Sequence, residues 1–218
     1  METNKKIRVC NLFAGVGGNR KLWENVDVTA VESDENIAAI YQDFFPQDKM
    51  IVGDAHEYLL QHFNEYDFIW SSPPCPSHSH VRKITSHQNT PLYPDMQLYQ
   101  EVLLLQGYSK AKFVVENVIS WYVPLVPPQT IGKHYFWANF MIAPFFEQVR
   151  NHKASIATLT EYKGFNLNKY KGIDARKALR NCVVPELGKH IFDCAFNGKA
   201  QTLFESQEMI QDNLFAEV

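Results

Sequence analysis

The sequence contains no run of 18 consecutive apolar residues, and its first six residues, Met1-Glu2-Thr3-Asn4-Lys5-Lys6, carry no apolar signal region. A membrane span is therefore not expected, and we predict a cytoplasmic protein. The sequence also has no large excess of either charge, since the formal net charge is −3 over 218 residues. This balance argues against a protein that coats nucleic acid indiscriminately, but it permits a local basic cleft.

Cysteine is rare: the chain has Cys10, Cys75, Cys182 and Cys194, and no two of them form a C-x-x-C pair. No histidine cluster has the spacing of zinc ligands, so we expect neither a disulfide framework nor a metal site. Free thiols suit a reducing compartment.

The dinucleotide fingerprint G-x-G-x-x-G is also missing. The glycine-rich turn Leu12-Phe13-Ala14-Gly15-Val16-Gly17-Gly18 has adjacent glycines and no third glycine at the required spacing. A nicotinamide-dependent dehydrogenase is therefore disfavoured. The turn can still bring backbone N–H groups close to a ligand because glycine lacks a Cβ, although a simple tight turn is the alternative.

The first half of the chain alternates short apolar runs with amphipathic segments. This βαβα order predicts an α/β fold, with a mostly parallel, Rossmann-like sheet covered by helices on both faces. The predicted strands are Ile7–Leu12, Val28–Val31, Met50–Val52, Asp67–Trp70 and Phe113–Val115, and the predicted helices are Asn19–Val26, Glu35–Phe44, Glu57–Phe63 and Pro94–Leu105.

The second half is less regular, and we divide the chain into 1–150, 151–180 and 181–218. Strands are predicted at Lys133–Phe140 and Met141–Val149, a turn-like stretch at 151–171, and helices at Asp174–Leu179 and from Pro185. The amphipathic segment Leu203–Phe215 could cover the core or form a homodimer contact.

Five marked residues fall at the predicted carboxyl ends of strands: Gly15, Glu32, Asp54, Cys75 and Glu116. Ligands of parallel α/β sheets bind outside this edge, so we predict an active site there. Glu32 could accept hydrogen bonds from ribose hydroxyls, and Asp54 from an adenine amino group. Either carboxylate could instead serve as a charge at a helix N-terminus.

Cys75 stands between prolines in Ser72-Pro73-Pro74-Cys75-Pro76-Ser77, directly after an apolar strand. Proline restrains the backbone, so the thiol is expected to be presented rather than packed, and a nucleophile is favoured over a buried structural cysteine. A nucleophilic thiol needs a lowered pKa. The cationic residues expected to lower it are His78, His80, Arg82, Lys83 and His87.

Glu116 interrupts the apolar run Val114-Val115-Glu116-Asn117-Val118. A carboxyl group is costly to bury there unless it has a partner or holds a proton, and a proton could be presented to a ring nitrogen. The alternative is a structural carboxylate paired with a buried arginine.

Together these motifs resemble those of DNA cytosine-5 methyltransferases. The turn from Phe13 to Gly18 resembles that family's first motif, Pro74-Cys75 its catalytic motif and Glu116-Asn117-Val118 its ENV motif. Gln148-Val149-Arg150 resembles its glutamine-and-arginine motif. Asn181-Cys182-Val183-Val184-Pro185 resembles its last motif, with cysteine where serine is commoner.

The resemblance implies a class I methyltransferase fold and S-adenosyl-L-methionine as cofactor. It also implies a flipped-out cytosine in double-stranded DNA, attacked at carbon 6 by Cys75, with Glu116 at the N3 edge and Arg150 holding the base or orienting Glu116. The cofactor contacts that it implies are Phe13, Ala14, Gly15, Gly17, Gly18, Glu32, Ser33, Asp54, Ala55, Pro74, Asn181 and Val183.

The region available for target recognition, about 30 residues from Asn151 to Arg180, is short for this family. It is basic with interleaved aromatics, which suits phosphate contacts and stacking, although a solvated surface loop is the alternative. RNA as substrate and a catalytically silent binding subunit remain alternatives. The predicted nucleic-acid contacts are Ser77, His78, Ser79, Arg82, Lys83, Lys163, Lys169 and Lys171.

Overall fold

The computed structural model describes residues 5–84, 90–146 and 154–196. Within these ranges seven strands form one sheet in the order β3-β2-β1-β4-β5-β7-β6. β1 to β5 are all parallel to one another, and β7 runs antiparallel between β5 and β6. The strands are β1 (Ile7–Leu12), β2 (Val26–Glu32), β3 (Lys49–Val52), β4 (Phe68–Ser71), β5 (Lys112–Val118), β6 (Gln129–Ile131) and β7 (His134–Ala138).

Helices cover both faces of this sheet. Side chains of successive strand residues point to opposite faces, so in β4 Phe68 and Trp70 face one layer while Ile69 faces the other. The α/β fold with a mostly parallel sheet is thus confirmed. The helices are α1 (Glu35–Phe44), α2 (Ala55–His62), α3 (His80–Ile84), α4 (Gln97–Tyr108), α5 (Ile156–Lys163), α6 (Ala175–Asn181) and α7 (Pro185–Phe196).

Helix α7, the last in the described residues, supplies one of the two layers. Its Ile191 and Phe192 pack with Trp23 against Phe68 and Trp70 of β4. On the other face, α4 packs against β5 and α2 packs against β1, β2 and α4. Burial of these apolar side chains is the main source of stability, at about 25 cal/mol per Å² removed from water.

The predicted helix at Asn19–Val26 is wrong, because the structure has turns up to Leu22 and β2 begins at Val26. Helix α7 packs so closely on this segment that a Cβ on Gly188 would collide with the backbone of Asn19. The Trp23 indole N–H donates to the Gly188 carbonyl at 3.1 Å. Packing against α7 therefore overrides the local helical pattern.

The predicted strand at Met141–Val149 is also wrong where it is described, since residues 141–146 form no strand. The partner of β7 is instead β6, which precedes it and joins it through Gly132 at φ +58°. The Gln129 side chain bonds Phe140 O and Ile142 N, which fixes the chain leaving β7 in an irregular course. Residues 147–149 and the segment Leu203–Phe215 lie outside the described residues.

The turn-like stretch predicted at 151–171 contains the helix α5, capped by Ser155 and ended by Gly164 in the left-handed conformation. Phe165 and Leu167, which follow α5, are fully buried against Ile40 of α1. The segment predicted to read DNA therefore shares a core with the sheet domain.

A search of the described helices for one long and apolar enough to cross a bilayer finds none.

Candidate active site

The glycine-rich turn opens outward at the carboxyl end of β1. Ala14 N donates to Val31 O at 3.0 Å, and Gly15 N donates to Glu32 Oε2 at 2.9 Å. Gly15 has φ +54°, and a Cβ there would meet no atom within 4 Å. The turn is therefore fixed to β2 from behind and open in front, which leaves space for a ligand beside the Glu32 carboxylate.

Phe13, directly before this turn, has φ +52°. A left-handed conformation costs a non-glycine residue about 1–2 kcal/mol, and such strain concentrates at functional sites. The hydrogen bonds of Ala14 N and Gly15 N to β2 hold this conformation where the cofactor is predicted to bind.

Glu32 and Asp54 end neighbouring strands, and both carboxylates bond to backbone. Glu32 Oε1 accepts from Asp34 N at 3.0 Å and from the Ser33 hydroxyl at 3.4 Å. Asp54 Oδ1 accepts from Glu57 N at 2.9 Å as the N-cap of α2, and Ala55 behind it is buried. Asp54 therefore has the helix-terminal role that the sequence left open, at the same strand edge as Glu32.

The last predicted motif returns to the glycine turn. A Cβ on Gly18 would overlap Val183 O and Cys182 Sγ. Glycine is thus required for the backbone of Asn181–Val183 to lie against the turn. Burial raises the pKa of the Cys182 thiol to about 11, so this thiol is a packing group.

Cys75 lies beyond the end of β4 in a tight turn, where its carbonyl accepts from His78 N at 3.0 Å and Ser79 N at 3.1 Å. Asn117, 2% exposed, donates from Nδ2 to Pro73 O at 2.9 Å. This bond ties the ENV segment of β5 to the proline-cysteine segment. Because β4 and β5 are parallel neighbours, Cys75 and Glu116 converge at one edge.

The expected lowering of the Cys75 pKa is wrong. Burial is the main cause of a raised pKa for this thiol, and the negative charge of Glu116 raises it further. Three of the basic residues expected to lower it, His78, Arg82 and Lys83, have other partners. Among them, Arg82 donates to Thr90 O, and the Lys83 ammonium lies 5.0 Å from the centre of the Trp121 ring.

Glu116 has a histidine neighbour that the sequence did not single out. His134 of β7 places Nε2 3.7 Å from Glu116 Oε1, and the Glu116 side chain is 14% exposed. The strand pairing aligns these two residues diagonally, with Glu116 opposite Phe136 and His134 opposite Val118. Arg150, predicted to act with Glu116, lies outside the described residues.

Several of the residues near Cys75 that were predicted to contact DNA form hydrogen bonds within the protein. His78 is 1% exposed, bonds to the Tyr122 hydroxyl through Nδ1, and has a buried Nε2 with no partner among the described residues. Ser77 Oγ accepts from Asp95 N at 3.0 Å, and the backbone of Ser79 forms an isolated antiparallel β-bridge with Ser120. His78 is therefore a support of the Cys75 segment rather than a surface contact.

The three lysines predicted in the recognition segment have different surroundings. Lys163 is buried and donates to Cys182 O at 2.7 Å, so its ammonium does not lie on the surface where a phosphate could contact it. Lys169 is exposed but forms an ion pair with Asp43. Lys171 is exposed.

A second buried carboxylate was missed by the sequence reading. Glu101 of α4 is 0% exposed and contacts Ser71 at the end of β4 and His56 in the first turn of α2. The signal that could have found it is its position on the apolar face of the helix, between Leu98 and Leu105.

Sheet order, glycine turn and strand-end carboxylates define a class I S-adenosyl-L-methionine-dependent methyltransferase, and S-adenosyl-L-methionine is the cofactor of this class. The sequence profile of C-5 cytosine-specific DNA methylases matches residues 7–120, more than half of the chain. The chain belongs to that family. The matched region includes the glycine turn, Cys75 and Glu116.

Solved structures with a similar fold have low sequence identity to this chain. The Escherichia coli protein yhhF, a candidate methyltransferase, is 15% identical with a TM-score of 0.42, covering 62% of this chain and 76% of its own. The methyltransferase EhMeth of Entamoeba histolytica is 17% identical with a TM-score of 0.38, covering 72% and 60%. A mutant DNMT2 of Spodoptera frugiperda is 19% identical with a TM-score of 0.36, covering 52% and 36%. No curated protein matches the chain in a sequence comparison.

Proposed function

We propose that this protein transfers a methyl group from S-adenosyl-L-methionine to carbon 5 of cytosine in double-stranded DNA. The observation that carries the proposal is the joining of two distant segments by the Asn117–Pro73 hydrogen bond. It holds the nucleophile Cys75 and the acid Glu116 at one sheet edge, beside the open glycine turn.

The residues around the glycine turn fit the cofactor. The open face at Gly15 lies next to the Glu32 carboxylate, which accepts hydrogen bonds of the kind that ribose hydroxyls donate. Asp54 and Ala55, at the N-terminus of α2, would receive the adenine end. When bound, S-adenosyl-L-methionine supplies an electrophilic methyl group. The other assigned contacts are Phe13, Ala14, Gly17, Gly18, Ser33, Pro74, Asn181 and Val183.

Cys75 and Glu116 divide the chemistry on the cytosine. Protonation of Glu116 provides a donor to N3 and removes the negative charge that disfavours the Cys75 thiolate. Attack of the thiolate on carbon 6 then forms a carbon–sulfur bond, moves electron density to carbon 5 and transfers the Glu116 proton to N3. Carbon 5 then takes the methyl group with release of S-adenosyl-L-homocysteine. A base removes the carbon 5 proton, the carbon–sulfur bond breaks to release the Cys75 thiolate, and N3 returns its proton to Glu116, which restores the aromatic ring.

DNA rather than RNA is favoured by the family to which the chain belongs. The target base must leave the duplex, because its ring face is unreachable within the stack. We assign the loop after Cys75, including Ser77, Ser79, Arg82 and Lys83, to contacts with the flipped nucleotide and its strand. Transfer of a tritiated methyl group to DNA and to RNA, by wild type and by Cys75→Ala, tests the substrate. Label on RNA alone would favour an RNA enzyme. Nucleic-acid binding without any label would favour a catalytically silent subunit.

Glu116→Gln is expected to lower the rate of methyl transfer by about 10²–10⁴-fold, because general acid catalysis contributes about that much. The amide keeps the side-chain volume but cannot deliver a proton. Single-turnover rates with radiolabelled cofactor measure the effect. Glu161→Gln, on the exposed side of α5, is the matched control. A Glu116→Gln rate within threefold of wild type would contradict the acid role.

Lys171→Gln is expected to weaken DNA binding and to reduce the slope of log K against log salt by about 0.9, as the loss of one phosphate contact does. Lys169→Gln should act less, because Asp43 already offsets its charge. Fluorescence anisotropy at several salt concentrations measures both. The control is Lys189→Gln, whose ammonium is paired with Asp193 on α7. Equal slopes for Lys171→Gln and the control would remove this segment from the DNA interface.

A further inference from the structure

A buried carboxylate that the proposed mechanism does not use connects the two halves of the candidate site. Glu101 Oε2 accepts from the Ser71 hydroxyl at 2.6 Å, and Oε1 lies 3.2 Å from His56 Nδ1. Both carboxylate oxygens are therefore engaged. A buried carboxylate without partners would be strongly unfavourable, so His56, Glu101 and Ser71 form one unit, the Glu101 brace.

The two partners of Glu101 lie on two of the elements that carry the candidate site. Ser71 is the last residue of β4, four residues before Cys75. His56 is two residues after Asp54, in the first turn of α2. The chain that leads into α4 is itself fastened to the Cys75 segment, since Asp95 N donates to Ser77 Oγ. One buried side chain thus spans the distance between the nucleophile strand and the predicted adenine end of the cofactor site.

The charge on His56 is set by this arrangement. The hydrogen bond to Glu101 is the main cause of a raised pKa for His56. Burial acts in the opposite direction, and the charges of Glu101, Asp54 and Asp95 raise the pKa further. Cys10 of β1 faces Glu101 as a neutral thiol, because burial and that same carboxylate raise its pKa. His56 is therefore the basic group that contacts Glu101, and this contact favours its protonated form.

We propose that the Glu101 brace positions the N-terminus of α2 for the adenine end of S-adenosyl-L-methionine and locks it to the catalytic strand. The assignment rests on the proposed function in one respect, the placing of adenine at Asp54 and Ala55. His56 and Glu101 are positioning residues: they act through α2 and β4. The interaction between His56 and Glu101 is strongest when His56 is protonated. It weakens as pH rises through the raised pKa of His56, and α2 is then fixed less firmly to β4.

The test is calorimetric titration of the full chain with S-adenosyl-L-homocysteine, without DNA. Glu101→Gln and His56→Ala are expected to weaken binding about tenfold, which corresponds to about 1.4 kcal/mol. His56→Asn keeps a donor near the position of Nδ1 and should lose about threefold or less. The matched control is His62→Ala, which breaks the 2.7 Å pair with Glu65 beside the same helix and should leave the affinity unchanged.

The pH profile separates positioning from mere packing. Wild-type affinity should fall as pH rises from 6 to 9, while His56→Asn should give a flat profile because asparagine does not titrate. In turnover assays the KM for S-adenosyl-L-methionine should rise in His56→Ala, with kcat changed less than about twofold, because uniform binding is what is lost.

Wild-type affinity in both His56→Ala and Glu101→Gln would overturn the proposal, as would equal losses in His56→Asn and His56→Ala. Thermal melting checks folding, and if Glu101→Gln does not fold, the two His56 variants decide the question alone. If the variants bind S-adenosyl-L-homocysteine as expected but the protein does not methylate DNA, the brace is supported and the proposed function is rejected. Methylation that depends on Cys75, without the binding pattern, would reject the brace alone.

Discussion

Cys75→Ala is expected to abolish methyl transfer, lowering the rate by about 10⁴-fold or more, as removal of a covalent nucleophile does. Two of the other thiols are too buried to replace it. Cys10 is 1% exposed within the sheet, and Cys182 is 7% exposed under the glycine turn. DNA that carries a cytosine analogue substituted at carbon 5 should trap a covalent adduct on wild type and none on Cys75→Ala. Peptide mass spectrometry locates the adduct.

The control for this experiment is Cys194→Ala, on α7, which should methylate DNA and form the adduct at the wild-type rate. An adduct on Cys182 would show that Cys75 is not the nucleophile. Alkylation of the free protein adds a second measure. Because burial and Glu116 raise the Cys75 pKa, its alkylation rate should climb steadily between pH 7 and 9, and Glu116→Gln should increase the rate at a given pH.

The first half of the fold follows closely from local pattern. Helix α1 has the predicted bounds, Glu35–Phe44, because apolar spacing and an N-cap at Asp34 act together. Strand β1 likewise has the predicted bounds. In both elements short-range signals agree with tertiary packing, and this agreement makes sequence sufficient.

Segments whose structure is decided by distant contacts, in either half of the chain, could not be predicted in the same way. The segment Asn19–Val26 has a helical pattern, yet α7 packs on it from more than 160 residues away. Lys163 looks like a surface cation in the sequence, but the carbonyl of Cys182 and the close packing of 165–182 draw it inside. No local pattern contains this information.

The candidate site shows the same division. Residue type and strand-end position single out Cys75 and Glu116. The side chains that support them, Asn117, His134 and Glu101, act across strands and helices. Even the direction of the Cys75 pKa depends on which charge lies nearest, and the sequence placed cations where the fold places Glu116.

Gly18→Ala is expected to destabilise the protein by about 3 kcal/mol, because overpacking that displaces backbone costs at least as much as the usual 1–3 kcal/mol. The added Cβ would overlap Val183 O and Cys182 Sγ, and would lie 3.0 Å from Val183 N. Two of these three atoms are backbone, so no side-chain rotation can relieve the contact. For a chain of this size the melting temperature should fall by roughly 6–12 °C.

Two glycines of the same chain calibrate that result. Gly53→Ala would place a Cβ 4.0 Å from Ile51, an ordinary contact, and should leave stability nearly unchanged. Gly107→Ala lies in α4 with nothing within 4 Å and should stabilise by about 0.5–1 kcal/mol, as removal of a helical glycine does. The loss in Gly18→Ala should be accompanied by weaker binding of S-adenosyl-L-homocysteine, because Val183 must move away from the turn that cradles the cofactor. Unaltered melting and binding in Gly18→Ala would mean that residues 181–183 do not lie against the glycine turn, and the cofactor assignments of Asn181 and Val183 would then have to be withdrawn.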